Sequence, residues 1–288
     1  GQLNLGGVGS PKVVGSAIGL DEAIRKGLVS SVGGFDAKAA EDAQKFAVEN
    51  SRMKIPLITG LDVVHGYYTI FPIPLASACS WNMPLLEESA RVAADEASAF
   101  GINWTFAPMV DICRDPRWGR IAEGAGEDPC LGSRIGRAMV RGFQGDDLSK
   151  PNTLLACVKH FALYGASEAG RDYNTVSMDP VTMYNYYLPP YKAAFDEGAG
   201  SGMTSFNVVN GVPATGNKWL LTDLLRDQWK FKGFMVSDAN SLAEMSEHGM
   251  GGAQRITELA MNAGLDMDMS YSLYVLCLKK AVEEKRVP

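Results

Sequence analysis

Leu154-Leu155-Ala156-Cys157-Val158-Lys159-His160-Phe161 (154–161) opens as an unbroken apolar run and closes on a lysine and a histidine. A run without alternation is what a strand buried on both faces requires, and helix-covered parallel sheets are its usual home. Similar runs lie at 28–33, 56–63, 104–112, 201–208, 233–238 and 264–269. With 154–161 they make seven strand candidates, close to the eight of a (β/α)8 barrel.

Between these runs the apolar spacing becomes helical, the βαβα alternation of a parallel sheet. Residues 37–50 follow Asp36 as an N-cap and place Ala40, Ala43 and Ala47 on one face. Residues 84–100 carry Pro84 in the first turn and stop before Gly101. Residues 180–197 follow Asp179, and Pro189-Pro190 is expected to kink that helix. Further helices are predicted near 218–229, 252–262 and 272–285. The expected class is α/β, a TIM-type (β/α)8 barrel, with room for an irregular or incomplete one. An open doubly wound sheet is the competing topology. It usually carries a glycine-rich nucleotide loop after its first strand, and Val32-Gly33-Gly34-Phe35 does not match GxGxxG. No internal repeat, low-complexity segment or linker divides the chain.

Composition narrows the function. The 288 residues are 46% hydrophobic and 21% charged, with a net charge of −6. An acidic chain of this kind has no electrostatic footprint for nucleic acid or an anionic membrane. No run reaches the roughly 18 apolar residues that span a bilayer. The five cysteines contain no CxxC pair, so they read as mostly buried small hydrophobes and not as a disulfide framework. Three histidines without HExxH give no expectation of a metal, and no cofactor is implied. Both ends look cut: Gly1 has no lead-in, and Val287-Pro288 follows directly on a helical pattern.

The chemistry gathers at strand ends. The second run ends in Gly60-Leu61-Asp62-Val63-Val64-His65-Gly66, and the third enters Asp111-Ile112-Cys113-Arg114-Asp115-Pro116-Arg117-Trp118-Gly119-Arg120. The fourth ends on Lys159-His160-Phe161 and the sixth on Val236-Ser237-Asp238-Ala239-Asn240. In a barrel these carboxyl ends face one mouth. Carboxylates that accept hydroxyl pairs and cations that donate to ring oxygens suit a neutral, hydroxyl-rich ligand.

The stretches GLDVVHG (60–66), APMVDICRDPRWGR (107–120), EGAGEDP (123–129), VKHFALYGASEAGRDYN (158–174), NGVPATGN (210–217), RDQWKFKGFMVSDAN (226–240) and NAGLDMDM (262–269) resemble, in order and over nearly the whole chain, glycoside hydrolase family 3. The resemblance, most like the periplasmic branch of its β-glucosidases, implies a retaining exo-glycosidase. Such an enzyme releases glucose from the non-reducing end of a β-linked oligosaccharide or an aryl glucoside. Asp238 matches the nucleophile. Asp62, Arg120, Lys159, His160 and Arg171 match ligands of the first sugar. The alternatives are a β-xylosidase or other exo-glycosidase of the family, or a sugar-binding barrel without turnover. A periplasmic or extracellular location and a non-proline cis peptide within Lys159-His160-Phe161 follow from the same resemblance.

Physically, the cations are expected to keep Asp238 ionised. Glu123, Glu127 and Asp128 read as organisers of their loop, His65 as a structural hydrogen-bonder, and Trp81, Trp104 and Trp118 as core or cleft wall. Phe206 stands where many relatives carry a tyrosine that meets the nucleophile, and Ala239 where many carry a tryptophan. The family's acid/base glutamate lies in an α/β sandwich domain after the barrel. Residues 1–288 therefore read as the barrel alone, with that domain as the missing partner and an apolar surface expected where it docks. The subgroup with a histidine acid/base is disfavoured, because Ala162-Leu163-Tyr164-Gly165 supplies no second histidine. Glu168 is the best carboxyl within the chain for that role.

Overall fold

The computed structural model describes residues 2–4, 19–33, 37–270 and 272–288. Seven strands form one parallel sheet in the order β1-β2-β3-β4-β5-β6-β9. They are β1 (Gln2–Asn4), β2 (Ser31–Gly33), β3 (Ile58–Leu61), β4 (Trp104–Thr105), β5 (Leu155–Phe161), β6 (Ser201–Thr204) and β9 (Phe234–Val236). A small antiparallel hairpin, β7 (Val208–Val209) with β8 (Val212–Pro213), stands apart. Beyond β9, the 264–269 segment runs alongside it as a single bridge, Val236 to Met267, and not as a full strand. Each apolar run contributes a strand or bridge, but the hydrogen-bonded cores are shorter than the runs.

The sheet curls into an incomplete TIM-type barrel, and contacts across its interior show the curvature. Trp104 on β4 donates its indole N–H to Ser201 Oγ on β6 at 2.8 Å, and its ring lies 5.3 Å from Phe234 on β9. Ser31 on β2 approaches Met267 Sδ at 3.7 Å. Trp104, Phe106, Cys157, Met203, Val236, Met267 and Met269 fill the interior as one cluster.

Helices cover the outside: α1 (Leu20–Arg25), α2 (Ala37–Asn50), α3 (Pro74–Ala78), α4 (Met83–Ala99) and α5 (Pro129–Gln144). After them come α6 (Pro180–Thr182), α7 (Pro189–Asp196), α8 (Ser241–Glu244), α9 (Ala253–Ala263) and α10 (Leu273–Glu283). Helix α2 spans the expected residues and buries Ala40 and Ala47, while its proposed cap, Asp36, lies outside the described residues. Asn82 caps α4 by accepting the Leu85 N–H at 3.2 Å, and Asp179 caps α6 by accepting that of Thr182 at 3.0 Å. The 180–197 helix breaks as the proline pair requires. A π-helical turn, Met183–Tyr187, separates α6 from α7.

Helix α5 is not among the expected helices, although it is amphipathic, with Leu131, Ala138, Val140 and Phe143 buried and Arg134 and Arg141 exposed. Its buried face includes Gly132, Gly136 and Gly142, where a pattern search looks for leucine or valine. The reason is close approach. A Cβ on Gly142 would sit 2.4 Å from the Glu87 carbonyl oxygen and 2.5 Å from Ala90 Cβ, so α4 and α5 touch nearly backbone to backbone. Trp81, expected as core or wall, is instead 68% exposed beside Ile73 and Leu85 in sequence, both exposed too. Tyr68 and Ile70, on the same loop after β3, are each 71% exposed. Of the cysteines, Cys113, Cys157 and Cys277 are buried, Cys79 and Cys130 are exposed, and all five are free. No helix among the described residues is long and apolar enough to cross a membrane.

Candidate active site

At the carboxyl end of the sheet a cavity of about 210 Å³ is lined by Asp62 from the end of β3, Lys159 and His160 from β5, Asp238 and Ala239 after β9, and Arg120 from the loop after β4. Leu61, Phe106, Met203 and Met269 form its apolar wall. Strand alternation would send Lys159 and His160 to opposite faces. Both reach the cavity, at the point where the β5–β6 ladder shifts register between Val158 and Phe161. The Lys159–His160 peptide is cis, as is Phe161–Ala162.

Asp238 is the most enclosed carboxyl of the lining, with 14% of its side chain exposed against 62% for Asp62. One of its oxygens accepts the Ala239 N–H at 2.7 Å, and the other lies 3.4 Å from His160 Nε2. Burial pushes the Asp238 carboxyl above the usual aspartate range. His160, Lys159 and Arg120 pull it down, as the sequence suggested, but desolvation outweighs them. Lys159, buried to 4%, donates to Asp62 at 2.6 Å, so an enclosed ammonium is paired with a carboxylate at the rim.

Arg120 is held by its neighbour three residues on. Its Nε and Nη2 donate to the two oxygens of Glu123 at 2.7 and 2.9 Å, and its guanidinium lies 5.5 Å from the Tyr164 ring centre. Burial works against the charge on Arg120, yet these bonds more than offset it and its pKa moves up. Glu123 is the mirror case: burial raises its carboxyl and Arg120 brings it below the ordinary value. Glu123 thus organises the loop through a residue of the site, and Asp128 does so by capping α5 at the Leu131 N–H, 2.7 Å away.

The family model described as the glycosyl hydrolase family 3 N terminal domain matches residues 22–288. The chain belongs to glycosyl hydrolase family 3. Over its whole length it is 42% identical to a periplasmic beta-glucosidase of Salmonella typhimurium, of which it spans 37%. It is 37% identical to a beta-xylosidase of Formosa agariphila, over 82% of this chain and 34% of that protein. Among solved structures, a beta-glucosidase from Listeria innocua superposes with a TM-score of 0.86 at 45% identity, covering 89% of this chain and 36% of that one. The chain therefore spans little more than a third of the length of these relatives.

Within this family 3 domain, several residues singled out in the sequence lie away from the cavity. Arg171 is exposed in the loop that follows β5 and is not part of the cavity lining. Phe206 is buried against Tyr173, ring centres 4.6 Å apart, and against Tyr164 at 5.7 Å. It backs the site and does not line it. His65 has its Nδ1 2.9 Å from the Phe71 carbonyl, the structural hydrogen bond expected of it. Trp104 and Trp118 are core residues, and Trp118 donates its indole N–H to Asp172 at 2.9 Å, which ties the Arg171 loop to the barrel. Glu168 is exposed in that loop. A different carboxyl, Glu244 on α8, is partly buried, and its pKa is raised by burial first and by the charge of Asp238 second.

Behind the cavity lies a layer of residues that the sequence motifs do not single out. Asp111, 1% exposed, accepts from both the backbone N–H of His160 (2.8 Å) and His160 Nδ1 (3.0 Å). Tyr191 of α7 donates to the other oxygen of Asp111 and lies 2.8 Å from the His160 carbonyl. Asp111 had a legible signal as a carboxylate at the end of a buried run. Tyr191 had none, because nothing in the periodicity of α7 separates it from other buried aromatics.

Proposed function

We propose that this domain performs the first half of a retaining exo-β-glucosidase reaction, with Asp238 as nucleophile. The observation that carries the reading is the placement of Asp238. It is an enclosed carboxyl next to His160 and Lys159, lining a cavity of about 210 Å³, smaller than a pocket for a drug-sized ligand. A cavity of that size takes one sugar ring, which fits exo cleavage. Asp62 and Lys159 would take hydroxyls of that ring, and Arg120 and His160 would complete its polar contacts. An oxygen of Asp238 attacks the anomeric carbon and the leaving oxygen departs with a proton. Water then reverses the bond on the glycosyl–enzyme.

A retaining enzyme needs a second carboxyl about 5–5.5 Å from the nucleophile. Among the described residues, the cavity lining carries only Asp62 besides Asp238, and Asp62 is bound to Lys159. We therefore assign the proton donor to a further α/β sandwich domain, the partner that the family resemblance implies for residues 1–288. The substrate would be a β-linked gluco-oligosaccharide or an aryl glucoside, and the location periplasmic or extracellular. A β-xylosidase is the second reading, favoured by the similarity to the Formosa agariphila enzyme.

An activated 2-fluoro glucoside tests this on the 288-residue chain, because its leaving group needs little protonation. The expected result is one added hexosyl mass on the wild-type chain and none on Asp238→Asn. Faster labelling by the matching xyloside would replace glucose with xylose. Rapid cellobiose turnover by the 288 residues alone would show that the donor lies within them.

A further inference from the structure

The layer behind His160 is built on a buried, hydrogen-bonded carboxyl. Asp111 is buried to 1% exposure with no lysine or arginine bound to it among the described residues, yet three donors meet its two oxygens. Such an arrangement meets the hydrogen-bonding needs of a buried carboxyl. It also decides where the imidazole proton sits. With Asp111 3.0 Å from Nδ1, a bare Nδ1 lone pair would face a carboxylate oxygen, so the proton belongs on Nδ1. The Tyr164 ring, 5.2 Å from the imidazole centre at 78°, limits its rotation from the other side. Nε2 is then the nitrogen presented to the cavity and to Asp238, 3.4 Å away.

We propose that Asp111, seated by Tyr191, is a positioning residue that fixes the tautomer and orientation of His160 and so determines what the nucleophile and the first sugar meet. While neutral, His160 offers a lone pair at Nε2 to a sugar hydroxyl. While protonated, it donates from Nε2 to the Asp238 carboxylate. The other tautomer would place a fixed N–H where the sugar's own hydroxyl hydrogen must go. Tyr191 serves as a donor throughout, because burial and the charge of Asp111 push its hydroxyl well above the ordinary tyrosine range. Asp111 touches neither the cavity nor Asp238, so it acts through the histidine. A buried aspartate holding a histidine tautomer is a general device of catalytic sites.

The test uses the 288-residue chain labelled with ¹⁵N-histidine. Its three histidines give few signals, and His160→Asn assigns the one that matters. Long-range ¹H–¹⁵N spectra of the wild-type chain at neutral pH should show His160 protonated at Nδ1. In Asp111→Asn that preference should be lost, and covalent labelling by the activated 2-fluoro glucoside should slow on the order of 10²-fold, the lower end of what a positioned proton-handling group contributes. Tyr191→Phe keeps the Asp111 carboxylate, so it should keep the tautomer and label more slowly by a smaller factor. A wild-type His160 with a bare Nδ1 overturns the proposal without any variant. So does an Asp111→Asn chain that labels slowly while its tautomer is unchanged, since that would be a merely structural loss. The labelling arm rests on Asp238 as nucleophile and the spectra do not. Failure to label with the expected tautomer present would reject the glycosidase reading alone.

Discussion

The seam between α4, α5 and α7 and the cavity at the carboxyl end of the sheet are both buried, but their groups are matched in opposite ways. At the seam the helix backbones meet closely and the carboxamide of Gln144 is used at both its oxygen and its nitrogen. Gly142 lets α4 and α5 meet at backbone distance, and Gln144 gives its carboxamide oxygen to the N–H groups of Ala156 and Gly200, each at 3.1 Å. Its amide nitrogen donates to the Gly198 carbonyl at 3.0 Å. At the cavity the groups are held but under-used. Asp238 receives one backbone hydrogen bond, Lys159 has one carboxylate partner at the rim, and burial holds the pKa of Asp238 up. The seam stabilises; the cavity keeps charge and hydrogen-bonding capacity for a ligand. Substitutions in the two regions should therefore separate stability from chemistry.

The largest effect is expected at the nucleophile. Asp238→Asn should slow labelling by the 2-fluoro glucoside on the order of 10⁴-fold or more, since no covalent bond can form in its absence. Its stability should move the other way. A carboxyl whose folded pKa is raised contributes stability that is full below its ordinary value and is lost as pH rises through the raised one. Above that range the buried carboxylate is a net cost that the amide lacks. The variant should melt no lower than wild type at pH 7, with the difference vanishing toward pH 3. A lower Tm at pH 7 would mean that Asp238 is a structural acceptor first.

Next comes Lys159→Met, which keeps the buried stem and removes the charge. Hydrogen bonds to charged groups are worth about 1.5–3 kcal/mol, so glucose should bind roughly 10–100-fold more weakly by calorimetry. Lys159 also lowers the pKa of Asp238. Without it the nucleophile stays protonated to a higher pH, and the acid limb of the labelling rate should move upward. An unmoved limb would show that Lys159 holds the sugar without tuning the nucleophile.

These two variants probe what the sequence made legible, because both residues end unbroken apolar runs and strand ends in a barrel face one mouth. Helix α5, which packs against the strand of Lys159, is not among the expected elements. Its amphipathic pattern is present all the same, with Leu131, Val140 and Phe143 buried beside the glycines and Arg134 and Arg141 exposed. The positioning layer was half legible: Asp111 sits at the end of an apolar run, whereas Tyr191 arrives from a helix whose pattern signals only core. Arg171 and Phe206 came from family resemblance, and a motif fixes a residue's place in the chain more firmly than its reach into a cavity. The expectation that nearby cations favour the charged form of Asp238 agrees in direction with His160, Lys159 and Arg120, and the opposing desolvation depends on enclosure that composition does not encode.

Gly142→Ala tests the seam. The added Cβ meets backbone on α4, so the helices must part, and overpacking of this kind costs about 1–3 kcal/mol. Tm should fall by roughly 2–4 °C per kcal/mol, while the labelling rate well below Tm stays that of wild type. A change in labelling at constant stability would mean that the seam and the cavity are coupled.

Arg171→Ala should have the smallest effect, and it is where the family resemblance and the geometry pull apart. The resemblance makes Arg171 a ligand of the first sugar. The structure leaves it exposed on a loop anchored next door, by Asp172 to Trp118, with Phe206 and Tyr173 packed behind. A solvated guanidinium that reaches a ligand only at the rim is screened by water and salt, and exposed charge pairs contribute about 0.2–1 kcal/mol. Glucose affinity should therefore weaken by no more than about fivefold, with Tm unchanged, and the difference should shrink as salt is raised. Calorimetric titration of glucose at two ionic strengths checks this. A loss comparable to that of Lys159→Met, and insensitive to salt, would require the 165–174 loop to fold inward on the sugar and bury Arg171 against it. The cavity would then have six polar ligands, and the division between an open mouth and a closed seam would hold only for the protein without its substrate.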